Sequence, residues 1–177
     1  MRGCLTISEI RSHNQPIPLQ YAVDSGLVVP SRTPRGWGIG RDEISLGQNL
    51  VVDTGRQAGC YALGGLTPSA NNVITNFGAG TGLTVPQATD VQLVSPLPFS
   101  TGSLYQAVDS VAFPAPFNLQ VKITIDAASM NGYLLTEFGL FTGNNTLIAR
   151  KLIQSGINKG AGGFDGLSYT LLWRIRV

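Results

Sequence analysis

The stretch NGYLLTEFGLFTGNNTLIARKLI, residues 131–153, has the form of a β-hairpin. Two largely apolar runs, 134–141 and 146–153, flank the polar sequence TGNN at 142–145. Glycine and asparagine tolerate the left-handed backbone that tight turns need, so this sequence predicts a turn between two paired strands. The hairpin therefore indicates a β-sheet in the C-terminal part of the chain.

Alternation with a period of two extends this sheet on both sides of the hairpin. The segment NLQVKITID, 118–126, places apolar residues at every second position, and SYTLLWRIRV, 168–177, repeats the pattern. Two further strand candidates lie at 72–77 and 104–113. Six short strands separated by Gly, Pro and Asn predict an all-β domain over residues 61–177, either an antiparallel β-sandwich or a jelly-roll-like barrel.

Helix is scarce in this pattern. The only candidate is PQATDVQLV, 86–94, in which Pro86 suits a first helical position, and the same segment reads equally well as a loop.

Residues 1–60 differ from the rest and predict an extended N-terminal arm. They contain six of the nine arginines and four prolines between positions 16 and 34, and they show no helical periodicity. The apolar pieces at 27–29 and 50–52 are too short for more than edge or isolated strands. Such an arm buries too little apolar area to order itself, so we expect its own domain or neighbouring subunits to hold it.

Within the arm, an aromatic residue lies among arginines, which predicts an interface with another protein. The residues are Arg32, Arg35, Trp37 and Arg41. This composition also suits nucleic acid, but two adjacent acids and the absence of lysine before position 122 favour anchors in a protein interface.

Composition points away from partners that are recognised by charge. Asp, Glu, Lys and Arg make up 12% of the chain, about half of the usual share. The net charge of +2 offers little attraction for nucleic acid or anionic lipid. We find no apolar run of 18 residues and no signal-peptide pattern, so we expect synthesis in the cytoplasm and no membrane contact. Cys4 and Cys60 are expected to be free thiols.

Residues able to carry chemistry are few and scattered. His13 is the only histidine, and with two cysteines it does not supply a zinc site or a supported catalytic triad. Asp126 and Glu137 lie on neighbouring predicted strands, where solvated charges are a better reading than a glycosidase pair. The glycine patterns at 36–40 and 77–82 lack the helix of a dinucleotide site and indicate turns. We therefore predict no enzyme, no metal and no cofactor.

Four motifs in the C-terminal part resemble structural proteins of tailed bacteriophages. A Gly-Thr-Gly turn at 80–82 is followed by a proline and a Thr-Asp pair, and a hairpin then combines Glu-x-Gly-Leu-Phe with Leu-x-Ala-Arg. A final strand with a tryptophan, 168–177, completes the likeness, which covers about 72–177. The apolar residues Leu83 and Val85 interrupt the loop after the turn.

The resemblance implies a non-enzymatic structural protein of the virion that binds capsid, neck or tail subunits. It implies a homo-oligomer, with trimers common among such proteins, and a place in the virion after assembly in the host cytoplasm. Head decoration, or cementing, is the favoured role, and a tail, neck or fibre-attachment component is the alternative. A carbohydrate- or receptor-binding module is the alternative of another class, with Tyr105, Tyr133 or Phe164 as residues that would stack on sugars.

Overall fold

The computed structural model describes residues 2–12, 15–17, 19–20, 44–64, 73–115, 118–160 and 166–176. These residues form an all-β fold, as predicted, and contain one short helix. The elements in chain order are β1 (Arg2–Ser12), β2 (Gln15–Ile17), β3 (Ile44–Val51), α1 (Asp53–Leu63), β4 (Ile74–Gly80), β5 (Gln106–Ala107), β6 (Ser110–Ala115), β7 (Asn118–Ile125), β8 (Tyr133–Thr142), β9 (Leu147–Lys159) and β10 (Leu167–Arg176).

The strands form two antiparallel sheets that share β3. The first has the order β3-β1-β10-β7-β6, with β2 added to the end of β1. The second has the order β5-β4-β8-β9-β3. Strand β3 pairs with β1 over most of its length and changes to β9 at its end, where Leu50 and Val51 lie opposite Arg150 and Ala149.

The other ends of the two sheets are joined by a single chain segment. Strands β5 and β6 are separated only by Val108 and Asp109. The N–H of Val108 donates to Thr75 O in β4, and that of Asp109 donates to Lys122 O in β7, both at 2.9 Å. The predicted single strand at 104–113 is therefore two strands, because the chain crosses between the sheets there.

The core lies between the inner faces predicted from period two. Val121 pairs with Trp173 and Ile123 pairs with Leu171, and all four side chains are fully buried. They belong to one cluster with Phe77, Phe138 and Leu140 from the second sheet. Burial of these faces is the main favourable contribution to folding, at about 1.5–3 kcal/mol for each large side chain.

The hairpin of β8 and β9 is confirmed, together with its turn. The N–H of Thr142 donates to Thr146 O at 2.9 Å, and Asn145 adopts a positive φ of 59°. A bulge between Leu135 and Glu137 shifts the alternation, so the core-facing residue Leu135 is followed on the same face by Phe138. Every residue of β8 from Leu135 onward is buried, because the loop at 81–97 covers its outer face.

The N-terminal part is more structured than the sequence predicted. Strand β1 lies between β3 and β10, and β3 is an interior strand and not an edge. The predicted boundary at residue 60 falls inside α1. Main-chain pairing with distant strands stabilises β1 and β3, and local sequence patterns carry no record of such pairing. Residues 21–43 lie outside the described residues, so the arm stays a prediction there.

Helix α1 was not predicted, and the segment at 86–94, for which a helix and a loop were both open, is a loop. Helix α1 packs on β9 at Gly55, where a side chain would collide with the main chain of Ile148. Its buried residues are small and few, which weakens the apolar periodicity that marks a helix. Within the described residues, no helix has the length and apolar character needed to cross a membrane. Cys60, on α1, is a free and exposed thiol, as expected.

A hydrogen-bonded turn at 126–132 joins β7 to β8. Asp126 Oδ1 accepts from the N–H groups of Ala128 and Ser129, and its Oδ2 accepts from the hydroxyls of Ser129 and Ser100. The buried ammonium of Lys159 donates to Asp126 O at 2.6 Å. Partial burial opposes ionisation of Asp126, but the hydrogen bonds together outweigh it and lower the pKa of its carboxyl.

Substitution of Ser129 by alanine tests this turn. We expect the free energy of unfolding to fall by about 1–2 kcal/mol at neutral pH, because the Asp126 carboxylate loses the hydrogen bond from the Ser129 hydroxyl. The pKa of Asp126 is lowered on folding, so its contribution is full above the unfolded value of 3.8 and disappears as the pH falls through the folded value. Urea unfolding in neutral and in strongly acidic buffer gives the free energy of unfolding of the variant and of wild type, and the difference between them should be smaller in acid. An equal difference at both pH values contradicts this account.

Substitution of Leu5 by alanine tests whether β1 belongs to the core. Leu5 is fully buried, so we expect a loss of about 2–5 kcal/mol in the free energy of unfolding. Val111→Ala, at a position that is 41% exposed on β6, is the control and should cost about 0.5 kcal/mol. Equal values for the two variants by urea denaturation would mean that β1 is only loosely attached.

Candidate functional site

The strongest candidate site is the loop between β4 and β5 at residues 81–97, which we call the anchored loop. Main-chain bonds close its base: Thr81 N–H donates to Ser95 O at 3.0 Å, and Leu97 N–H donates to Ala79 O at 2.9 Å. Gly80 and Pro96 form an isolated bridge at the same level. The loop therefore leaves and rejoins the sheet at one place.

A buried carboxylate on β8 holds both sides of this base. Glu137 is fully buried, and its Oε1 accepts from the N–H groups of Gly82 and Ser95. Its Oε2 accepts from Val94 N–H at 3.0 Å. Thr136 adds a bond from its hydroxyl to Gly82 O at 2.9 Å. These donors come from both arms of the loop, so the Glu137 carboxylate holds the two arms together.

A buried guanidinium on β9 completes the anchor. Arg150 Nη2 lies 2.9 Å from Glu137 Oε2 and 3.0 Å from Thr84 O, and its Nη1 lies 2.7 Å from Asp90 Oδ2. The Arg150 side chain is fully buried. Arg150 thus ties β8 to two separate points of the anchored loop, which a single-point cation such as lysine does not do with the same geometry.

The local sequence explains why these groups meet. Glu137 pairs with Leu152, and Gly139 pairs with Arg150, so the two charged residues are diagonal neighbours on one face of the hairpin. A β-carbon at Gly82 would lie 2.5 Å from Glu137 Oε1, and one at Gly80 would collide with Ser95 O. Glycine is therefore required at positions 80 and 82 by close approach, whereas residues 77–80 belong to strand β4, so the turn predicted over 77–82 is wrong for those residues.

The tip of the anchored loop, residues 85–92, rests on α1, and the adjoining Leu93 packs on the outer face of the second sheet. Asp53 N–H, at the start of α1, donates to Ala88 O at 2.8 Å. Leu93 is buried in a small second cluster with Val52, Phe141 and Leu147. The segment predicted as a possible helix is thus a turn, in which Asp90 N–H donates to Gln87 O and the Asp90 carboxylate accepts from Gln87 N–H.

The anchored loop presents apolar side chains to solvent. The exposed fractions are 67% for Leu83, 59% for Val85, 67% for Val91 and 56% for Val94. Its only ionisable residue, Asp90, is already bound to Arg150. Exposed apolar residues on a well-held, uncharged segment are typical of a surface that contacts another protein.

Beside the anchored loop, a groove of about 620 Å³ lies where β3 and β9 diverge. Val85 and Pro86 form one side of it, and Gln48, Asn49 and Lys151 contribute from the strands. The Lys151 ammonium donates to Gln48 O at 2.7 Å across the gap between the strands. The groove therefore adjoins the exposed apolar side chains of the anchored loop.

Several residues singled out from the sequence are placed differently. Glu137 is fully buried, so the interpretation as a solvated charge is wrong. Asp126 and Glu137 share no hydrogen-bond partner among the described residues. Tyr105 packs edge-on against Phe141 with ring centroids 4.9 Å apart, and Tyr133 is 48% exposed.

Other predicted residues lie outside the described part of the chain. These are His13, Arg32, Arg35, Trp37, Arg41 and Phe164. Within the described part, no group of three or more Cys, His, Asp or Glu residues is placed to hold a metal ion.

Sequence reasoning missed the ion pair, although a signal was present. Counting outward from the turn at 142–145 places Glu137 directly opposite Arg150, and the observed register differs from this count by two positions. An acid and a base facing each other in otherwise apolar strands indicate a buried pair.

No protein-family model, curated protein or solved structure matches the chain.

Removal of either charge tests the anchor. We expect Glu137→Gln and Arg150→Met each to lower the free energy of unfolding by about 3–5 kcal/mol, because the remaining buried charge loses its fully buried counter-ion. The double variant should lose clearly less than the sum, as measured by urea denaturation. Arg56→Met is the control, since its pair with Asp53 is exposed and should contribute less than about 1 kcal/mol. Additive losses would contradict a coupled pair.

Proposed function

We propose that the protein is a non-enzymatic structural protein of a tailed-phage virion, with capsid decoration or cementing as its role. A tail, neck or fibre-attachment component is the alternative location. One observation carries the proposal: three of the motifs that resemble phage structural proteins converge on the anchored loop. The Gly-Thr-Gly turn, the Thr-Asp pair and the hairpin residues Glu137 and Arg150 all contribute to its network.

This hydrogen-bond network suits a protein whose role is to bind another protein through the anchored loop. A loop whose shape is set before binding loses little conformational entropy when a partner covers it. Its exposed apolar side chains supply the burial, and the absence of free charges leaves no ion to be desolvated. These properties favour attachment to a neutral, apolar patch on another virion subunit.

We propose a homo-oligomer, with a trimer as the first state to test, on the capsid surface or at the neck or tail. The N-terminal residues Arg32, Arg35, Trp37 and Arg41 would form a second contact with neighbouring subunits. Direct binding to nucleic acid or membrane is not part of this proposal, and the protein would assemble in the host cytoplasm before residing in the virion.

The double substitution Leu83→Ser with Val91→Ser tests the contact. Each side chain is 67% exposed in the free protein, so the domain should stay folded. We expect binding to particles made without this chain to weaken by at least about 30-fold, which corresponds to about 1 kcal/mol for each lost apolar contact. Added protein per particle, measured by quantitative gel analysis across a titration, gives the affinity.

The matched control changes two exposed apolar residues elsewhere, Val111→Ser with Phe113→Ser on β6. Wild-type affinity should also change little between low and high salt, because apolar contacts are not screened. Failure of the wild-type protein to bind any particle would refute the proposed function. Equal weakening by the control pair would refute the role of the anchored loop.

A further inference from the structure

The two carboxylates that meet Arg150 lie at different depths in the anchored loop. Glu137 is fully buried at the base. The Asp90 side chain is 20% exposed and lies toward the tip. Loss of the Glu137 charge therefore leaves Arg150 with the partly exposed Asp90 as its only carboxylate partner among the described residues, whereas loss of the Asp90 charge lets water reach the guanidinium if the tip moves outward.

A single oxygen of Asp90 joins the tip to the sheet. Asp90 Oδ2 accepts from Gln87 N–H at 2.9 Å, within the tip, and from Arg150 Nη1 at 2.7 Å, on β9. Arg150 also binds Thr84 O, on the opposite arm of the loop. The Asp90–Arg150 contact thereby sets the separation of the two arms.

The exposed apolar side chains follow directly from these anchor points. Val85 is the residue after Thr84, and Val91 is the residue after Asp90. Between them, residues 85–92 contribute no side chain to either buried cluster, whose nearest member in the loop is Leu93. The tip can therefore change conformation without opening the core.

We propose that Asp90 is a positioning residue: its bond to Arg150 holds the tip of the anchored loop in the conformation that presents Val85 and Val91 to the partner. The part that concerns a partner rests on the proposed function, and the part that concerns the conformation does not. Asp90 acts here through Arg150 and not by touching the partner.

The test compares Asp90→Asn with Asp109→Asn. The control makes the same chemical change at an exposed aspartate that accepts from Thr124 Oγ1 at 2.6 Å. Amide hydrogen exchange of the free protein reports the conformation. In Asp90→Asn we expect exchange about 10- to 100-fold faster at the Gln87 and Asp53 N–H groups, which bond to Asp90 and to Ala88, with β7 and β10 unchanged. Asp109→Asn should leave the tip as in wild type.

Binding to particles made without this chain is the second readout. We expect Asp90→Asn to bind about 10- to 100-fold more weakly, with a melting temperature close to that of wild type. Unchanged exchange at the tip overturns the proposal, and so does faster exchange throughout β7 and β10, which marks a general structural role. Faster exchange at the tip with wild-type affinity also overturns it. Faster exchange at the tip, with no binding by the wild-type protein, supports the conformational role and rejects the proposed function.

Discussion

The buried pair of Glu137 and Arg150 is the constraint on which the rest of the candidate site depends. An ion pair removed from water depends on hydrogen bonds to the remaining donors and acceptors of both groups. Here the anchored loop supplies most of those partners, through three main-chain N–H groups for the carboxylate and through Thr84 O and Asp90 for the guanidinium. Arg150 Nε is buried and has no hydrogen-bond partner among the described residues. The buried charges depend on the hydrogen bonds of the loop, and the conformation of the loop depends on the same bonds.

The position of this pair in the fold links it to the way the two sheets join. Arg150 lies opposite Leu50 at the point where β3 leaves the first sheet and pairs with β9. Helix α1 begins two residues after β3 ends, and its first N–H group bonds to the tip of the anchored loop. The sheet junction, the helix and the loop therefore share one small region. A change at Arg150 is expected to reach all three.

The proposed role follows from what this region offers to a partner. The anchored loop is apolar, nearly uncharged and shaped before binding, and the groove beside it extends the same surface. A chain with half of the usual charge has few long-range means of attracting a partner, so affinity has to come from area and fit. Such a surface serves permanent assembly better than rapid exchange, which agrees with a building block of a particle.

Local patterns in the sequence determined the all-β class, the strands at 118–125 and 167–176, and the hairpin with its turn, because a period of two and a Gly-Asn turn are local properties. The tertiary structure alone decided that β1 and β3 are interior strands, that α1 exists and that the segment at 86–94 is a turn. The hairpin itself places Glu137 near Arg150, and the tertiary structure decided that the anchored loop buries the pair. Each of these outcomes depends on groups far apart in the chain, whose contacts outweigh the local preferences that a sequence pattern records.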